Sequence, residues 1–200
     1  MILRLRELSC WVALAPAFLL TQALAAQSLP RVVIQTPLGS IEVEVDTVRA
    51  PVTGRNFLHH VDQGSYRGGQ FHRTVRADNQ TEGAVKIEVI QGGANPLQSR
   101  AFPPIQLERT TQTGLSHKDG AISMARDGPD TAISDFFIVI GDQPELDFGG
   151  KRNPDGQGFA AFGRVVRGMD VVRSIQTARA RGQRLTPPIG ILDVVRAGER

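Results

Sequence analysis

Apolar and polar residues alternate from Arg31 to Thr36 and again from Ile41 to Val45, on either side of Pro37-Leu38-Gly39-Ser40. Period-two segments flanking a turn predict a β-hairpin. The period changes at Pro51. Val52, Phe57, Leu58 and Val61 fall roughly on one helical face, Pro51 suits a first turn and Gly64 a stop, so a helix is predicted over 51–64. Alternation returns at Gln70–Val75 and Lys86–Gln91, separated by a polar loop from Arg76. Further short strands are predicted over 121–125, 136–140, 160–166 and 189–195. A second helix is expected from Gly168 to about Thr177, with Met169, Val172 and Ile175 turned inward. Many short strands and only two helices predict a mainly β domain: a closed eight-stranded antiparallel β-barrel capped by two α-helices. No repeat, coiled coil or linker divides it.

Composition adds little to that picture and removes several alternatives. The 200 residues, 40% hydrophobic and 22% charged, suit one globular domain, and 21 Gly with 12 Pro fit a turn-rich β architecture. The net charge of +3 is spread along the chain. Its densest stretch, Arg179-Ala180-Arg181-Gly182-Gln183-Arg184, reads as a solvated loop rather than a nucleic-acid patch. At the amino end, Arg4 and Arg6 precede an apolar stretch from Leu8 to Leu20, and Ala23-Leu24-Ala25 offers a small-x-small cleavage pattern. Residues 1–25 are therefore read as a removable signal peptide, with cleavage after Ala25 or Ala26, and 26–200 as the mature domain. The apolar stretch is short and contains Pro16, which argues against a stable membrane span. The expected location is the periplasm or the exterior. Cys10 is the single cysteine and lies in the leader, so the mature domain would carry no thiol for catalysis, disulfides or metal binding.

The candidate chemistry centres on Arg73, in an otherwise apolar strand within Phe71-His72-Arg73. A buried guanidinium is costly unless something uses it. Downstream come Gln91-Gly92-Gly93, Ser123-Met124-Ala125, Asp135-Phe136-Phe137-Ile138, Glu145-Leu146-Asp147, and Phe162-Gly163-Arg164-Val165 followed by Gly168-Met169-Asp170-Val171-Val172. In this order, from about Arg31 to Ala197, the pieces resemble the cyclophilins, a family of peptidyl-prolyl cis/trans isomerases. The resemblance implies a site on the outer face of the barrel. Arg73 would be the catalytic donor, with Gln91 orienting it and the substrate, Phe137 as the floor of a proline pocket and Leu146 as a wall. Met124 and Ala125 would lie near the groove. It implies no cofactor, and proline-containing polypeptides as partners of a monomer.

The chain also departs from the family pattern. An insertion separates Arg73 from Gln91, and Glu88, Val89 and Ile90 stand where a Phe-Met pair is usual, leaving Val89 to line the pocket. Arg126 replaces an Asn, Asp135 a Gln and Glu145 a Trp or Phe. Phe159 takes the place of a His after a second insertion, Gly149 to Gln157. Two arrangements are open for Asp135: a pair with Arg126 across the groove, or a pair with Arg73 that pins it. Both inserted loops, near Asn79 and Asn153, are candidate specificity elements. With these changes, a proline-peptide binding module or chaperone with little catalysis is the alternative to an enzyme. His72 reads as structural, the adjacent His59 and His60 cannot share a helical face for a metal, His117 has no spaced partner, and Ser123 has no base beside it. Asp147, Asn153 and Asp155 miss the spacing of a calcium loop.

Overall fold

The computed structural model describes residues 28–95, 97 and 102–198. The leader read at 1–25 and its Cys10 lie outside the described residues. The strands are β1 (Arg31–Thr36), β2 (Gly39–Val45), β3 (Gln70–Val75), β4 (Val89–Gly93), β5 (Ala121–Met124), β6 (Phe136–Val139), β7 (Ala160–Arg167), β8 (Ala180–Arg181), β9 (Arg184–Gly190) and β10 (Asp193–Arg196). The helices are α1 (Pro51–Asp62), α2 (Thr110–Thr113) and α3 (Met169–Gln176), with a 3-10 turn at Pro144–Leu146.

The strands form one antiparallel sheet in the order β10-β1-β2-β7-β5-β6-β4-β3-β9-β8. The predicted closed eight-stranded barrel needs correction on two points. The segment expected as one strand over 189–195 breaks into β9 and β10, and the stretch read as a basic loop folds as the β8–β9 hairpin. In addition, β8 and β10 remain sheet edges among the described pairings. The two ends are joined through the chain and by isolated bonds: Ile191 N–H donates to Gly69 O at 2.8 Å and Leu192 N–H to Gln35 O at 2.8 Å.

Strand alternation sorts the side chains into two apolar layers. Ile34, Ile41, Val43, Phe71, Ile90, Ile122, Met124, Phe136, Ile138 and Phe162 point into the main core. Phe57 of α1 packs among them, 5.3 Å from Tyr66, 5.7 Å from Phe136 and 5.0 Å from Phe162 between ring centroids. Each such ring contributes roughly 1.5–3 kcal/mol by leaving water. From α3, Val171, Val172 and Ile175 enter the same core. Val52 does not: it is exposed, and His60 takes the buried position on α1 instead. That helix starts at Pro51 without a local side-chain cap. Glu108, distant in sequence, accepts from the N–H groups of Val52 (3.0 Å) and Thr53 (2.7 Å) in its place.

The alternate residues Val75, Val89, Ala121, Phe137, Val139 and Leu146, with Ile87, form a second, smaller cluster on the other face of the sheet. Ala125 and Phe159 pack against it. The site is built on this layer.

Candidate functional site: a hollow beside an arginine

Arg73 reaches the outer layer because β3 is irregular. Phe71 pairs with Gly92, yet Arg73 pairs with the next residue, Gln91, so His72 is an extra residue in the ladder. Strict alternation from the buried Phe71 would turn Arg73 into the main core. The bulge reverses the parity and turns it outward, which is how such bulges re-aim side chains. The two glycines opposite serve close packing. A Cβ on Gly92 would press into the Phe71 ring, and one on Gly93 would collide with the Asp135 carboxylate.

The guanidinium is held on two sides. Nη1 donates to Gln91 Oε1 at 2.9 Å, while Nε and Nη2 donate to Gln183 Oε1 at 2.9 and 2.7 Å. Three of its five N–H donors are thus taken, and one on each Nη nitrogen stays available. Both partners are neutral. Burial, and secondarily the charge of Arg152, lowers the Arg73 pKa. Gln91 is fixed in turn, with its oxygen on Arg73 and its amide hydrogen-bonded to Asp135. Asp135 therefore makes neither of the two pairs considered from the sequence. It faces Gln91 and His72, whose Nε2 lies 3.8 Å away. Desolvation pushes the Asp135 carboxyl pKa up, against the pull of His72 and Gln91.

Beside Arg73 lies a hollow of about 380 Å³. Phe137 forms its floor, Val89, Leu146 and Phe159 its apolar walls, and Gln91, Ala125 and Arg126 its rim. Phe159 meets Phe137 edge-on at 5.2 Å. Arg126 lies 5.2 Å over the Phe159 ring; its side chain is 1% exposed, with its charge spent on Asp155 (2.7 and 3.0 Å) and on the Gly158 carbonyl. This is why it does not pair with Asp135: the second insertion brings Asp155 to it in a two-bond fork. A neighbouring hollow of about 280 Å³ shares Gln91, Ala125, Arg126 and Asp127 and adds Asp135.

Nine of the ten residues singled out from the sequence line these two hollows. The exception is Met124, which is buried in the main core opposite Phe136. It precedes Ala125 by one residue, so the pleat puts it on the other face.

Several residues at the site were not singled out from the sequence, Asp127 and Ile87 among them, although the loop around Asn153 was read as a candidate specificity element. Gln183 lies in the stretch taken for a solvated loop, and Arg152 and Asn153, from the second insertion, line the hollow. Another is His117, which does have partners. Its Nδ1 lies 2.6 Å from Asp147 Oδ1 and its Nε2 2.9 Å from Ser123 Oγ, while its ring stacks under Phe137 at 5.8 Å. Ser123 therefore has a base beside it. Both residues are almost fully buried behind the pocket floor, so this trio is a support for Phe137 and not an exposed nucleophile.

The site thus sets an arginine with two spare donors beside a hollow that combines the apolar side chains of Val89, Phe137, Leu146 and Phe159 with a charged and polar edge. The family model described as cyclophilin type peptidyl-prolyl cis-trans isomerase/CLD matches residues 31–196. The chain belongs to the cyclophilin family. Peptidyl-prolyl cis-trans isomerase A of Dickeya dadantii is 35% identical over 167 residues, covering 82% of this chain and 76% of that protein. Peptidyl-prolyl cis-trans isomerase CYP18-2 of Arabidopsis thaliana is 37% identical over 153 residues, covering 75% and 84%. Among solved structures, a Cryptosporidium parvum cyclophilin determined in the presence of the dipeptide Ala-Pro superposes with a TM-score of 0.67 at 22% identity, covering 84% of this chain and 99% of that one. This cyclophilin thus has the family's fold, with Arg152 and Asn153 of the loop after the 3-10 turn lining its hollow and the loop between β3 and β4 bonded to Arg152.

Proposed function

We propose that this cyclophilin is a peptidyl-prolyl cis/trans isomerase acting on X-Pro bonds of polypeptides. The observation that carries the reading is the Arg73 guanidinium, held by neutral partners with two N–H donors free, beside the hollow whose apolar side is formed by Phe137, Val89, Leu146 and Phe159. Rotation about the amide costs about 18–20 kcal/mol because resonance is lost. The proline ring sits on Phe137 between Leu146, Val89 and Phe159, out of water. As the bond twists, its nitrogen pyramidalises and gains a lone pair. A free N–H of Arg73 donates to that lone pair, a bond available in the twisted state and absent in either planar isomer. Binding the twisted state more tightly than both ground states is catalysis without nucleophile, metal or proton relay. Gln91 and Gln183 act by positioning Arg73.

The mature domain acts as a monomer in the periplasm or outside the cell, following removal of residues 1–25. The basic start, apolar stretch and Ala23-Leu24-Ala25 support export. Among the described residues no helix is long and apolar enough to cross a membrane. Isomerisation of a short X-Pro peptide by residues 26–200 tests the activity. Acceleration well above the uncatalysed exchange, which takes tens to hundreds of seconds, supports the enzyme. Tight peptide binding without acceleration makes the protein a proline-peptide binding module. Export is tested separately, by fractionating cells that express the full chain and sequencing the amino terminus.

A further inference from the structure

The two insertions meet at the pocket. Arg152, in the second, donates from Nη1 to the Gln80 side chain at 3.2 Å and to the Val85 carbonyl at 2.8 Å, both in the first. Its own backbone is set by Glu145: Arg152 N–H donates to Glu145 O at 3.1 Å and Lys151 N–H to the Glu145 carboxylate at 2.8 Å. Gly149 N–H closes the loop onto Gly156 O at 2.8 Å. The loop is thus a built feature that holds Arg152 and Asn153 in the wall of the hollow that Arg73 lines.

That wall carries an electrostatic imbalance. Two half-buried guanidinium groups, Arg73 and Arg152, face one hollow, and each bonds only to neutral oxygens. The same hollow is lined by Arg126, which Asp155 neutralises, and by one carboxylate, the exposed Asp127, which forms no ion pair with either guanidinium, so cations still outnumber carboxylates. Each depresses in pKa chiefly through desolvation, and Arg152 adds its repulsion to Arg73. Among the described residues neither meets a carboxylate, although most other arginines of the chain at such burial do, Arg126 being the nearest example. The Asn153 Nδ2 group is buried at the same wall with no hydrogen-bond partner. Desolvated cations with no carboxylate bonded to them, next to an orphaned donor, are costly unless an incoming group supplies the negative charge and the acceptor.

We infer that the hollow selects proline peptides bearing a carboxylate beside the proline, bound by Arg152 with Asn153 and reinforced by Arg73. The inference rests on the isomerase reading of the same pocket. Two sources offer this chemistry: an acidic side chain next to the proline, or the free carboxylate of a chain that ends there. Carboxylate binding orients the peptide without consuming both spare donors of Arg73, because Arg152 supplies the second cation.

The test uses the mature protein and amidated X-Pro peptides matched except for Glu, Gln or Lys directly before or after the proline. A further neutral peptide carries a free carboxylate at the residue after the proline. The ratio of kcat/KM between each carboxylate peptide and its neutral counterpart is read at low salt. The account expects at least one ratio of about tenfold, with Lys peptides slower than Gln peptides. Which carboxylate gives the preference identifies the source. The ratio falls toward one in Arg152→Gln, persists in Arg152→Lys, and falls in the wild type as salt rises to a few hundred millimolar, which needs no variant to fold. Ratios near one for every carboxylate peptide, with neutral peptides turned over well, overturn the inference and leave the isomerase reading intact. If no peptide is accelerated, the isomerase reading fails instead, and the same ratios are taken from binding constants. An Arg152-dependent preference for carboxylate then sustains the inference, and its absence overturns it.

Discussion

Gln183 offers the sharpest test of how the arginine is held. It sits 110 residues from Arg73 in sequence, and its Oε1 accepts from both Nε and Nη2. Replacing it with Ala removes both bonds and leaves Gln91 as the hydrogen-bond partner of the guanidinium among the described residues. A hydrogen bond to a charged group contributes about 1.5–3 kcal/mol when shielded. Arg73 is only half-buried, so water replaces part of the loss, and a stability change of about 1–2 kcal/mol is expected. The larger effect is on catalysis, because a guanidinium tethered at one nitrogen pivots away from the twisted amide. A loss of ~1.4 kcal/mol in transition-state binding is a tenfold fall in rate. Gln183→Ala should therefore lower kcat about tenfold while leaving KM within a few-fold. Gln183→Glu separates holding from charge: its carboxylate grips Arg73 more firmly but neutralises it, so activity falls while stability does not. The assay is isomerisation of a short X-Pro peptide together with urea unfolding of each variant. An unchanged kcat in folded Gln183→Ala would refute the claim that this residue positions the donor.

Other residues carry independent expectations. Phe137→Ala removes the pocket floor and the ring stacked on His117; it should raise KM by at least tenfold and destabilise by about 3 kcal/mol, read by peptide kinetics and urea unfolding. Gly93→Ala drives a methyl group into the Asp135 carboxylate and should cost about 1–3 kcal/mol, partly recovered when Asp135→Ala is added. His60 is fully buried, and desolvation, then the charge of His59, lowers its folded pKa below the ordinary value of 6.5. The unfolded chain then binds the extra proton. The stability that His60 contributes is full above about pH 6.5 and is lost as pH falls from there through the folded pKa. The urea midpoint should drop over that window in the wild type and drop less in His60→Leu; parallel curves would refute the assignment.

The parts of the fold carried by alternation were legible: the first hairpin, β3, β5, β6, β7 and both longer helices follow directly from spacing. Parity errors arose where one residue decides the face. Met124 was placed near the groove on the family resemblance of Ser123-Met124-Ala125, and the pleat sends it inward. Arg73 faces the pocket only because the bulge at His72 reverses the count, a feature that no local pattern in β3 announces. The motif residues Gln91, Phe137 and Leu146 came together as the family resemblance implied. Gln183, His117 and Arg152 were missed because their roles are set by partners distant in sequence. Arg152 and Asp155 come from a turn-rich insertion whose composition reads as solvent-exposed loop. Only the folded loop shows that one faces Arg73's pocket and the other neutralises Arg126. The pair considered between Arg126 and Asp135 does not form for the same reason.

The most direct measurement of the central claim is the kcat for X-Pro isomerisation by Arg73→Ala beside the wild type, with peptide affinity measured on both. The account predicts that kcat falls at least about a hundredfold, ~2.7 kcal/mol of transition-state stabilisation, while affinity for the ground-state peptide changes only a few-fold. Equal kcat in a folded Arg73→Ala protein would contradict it.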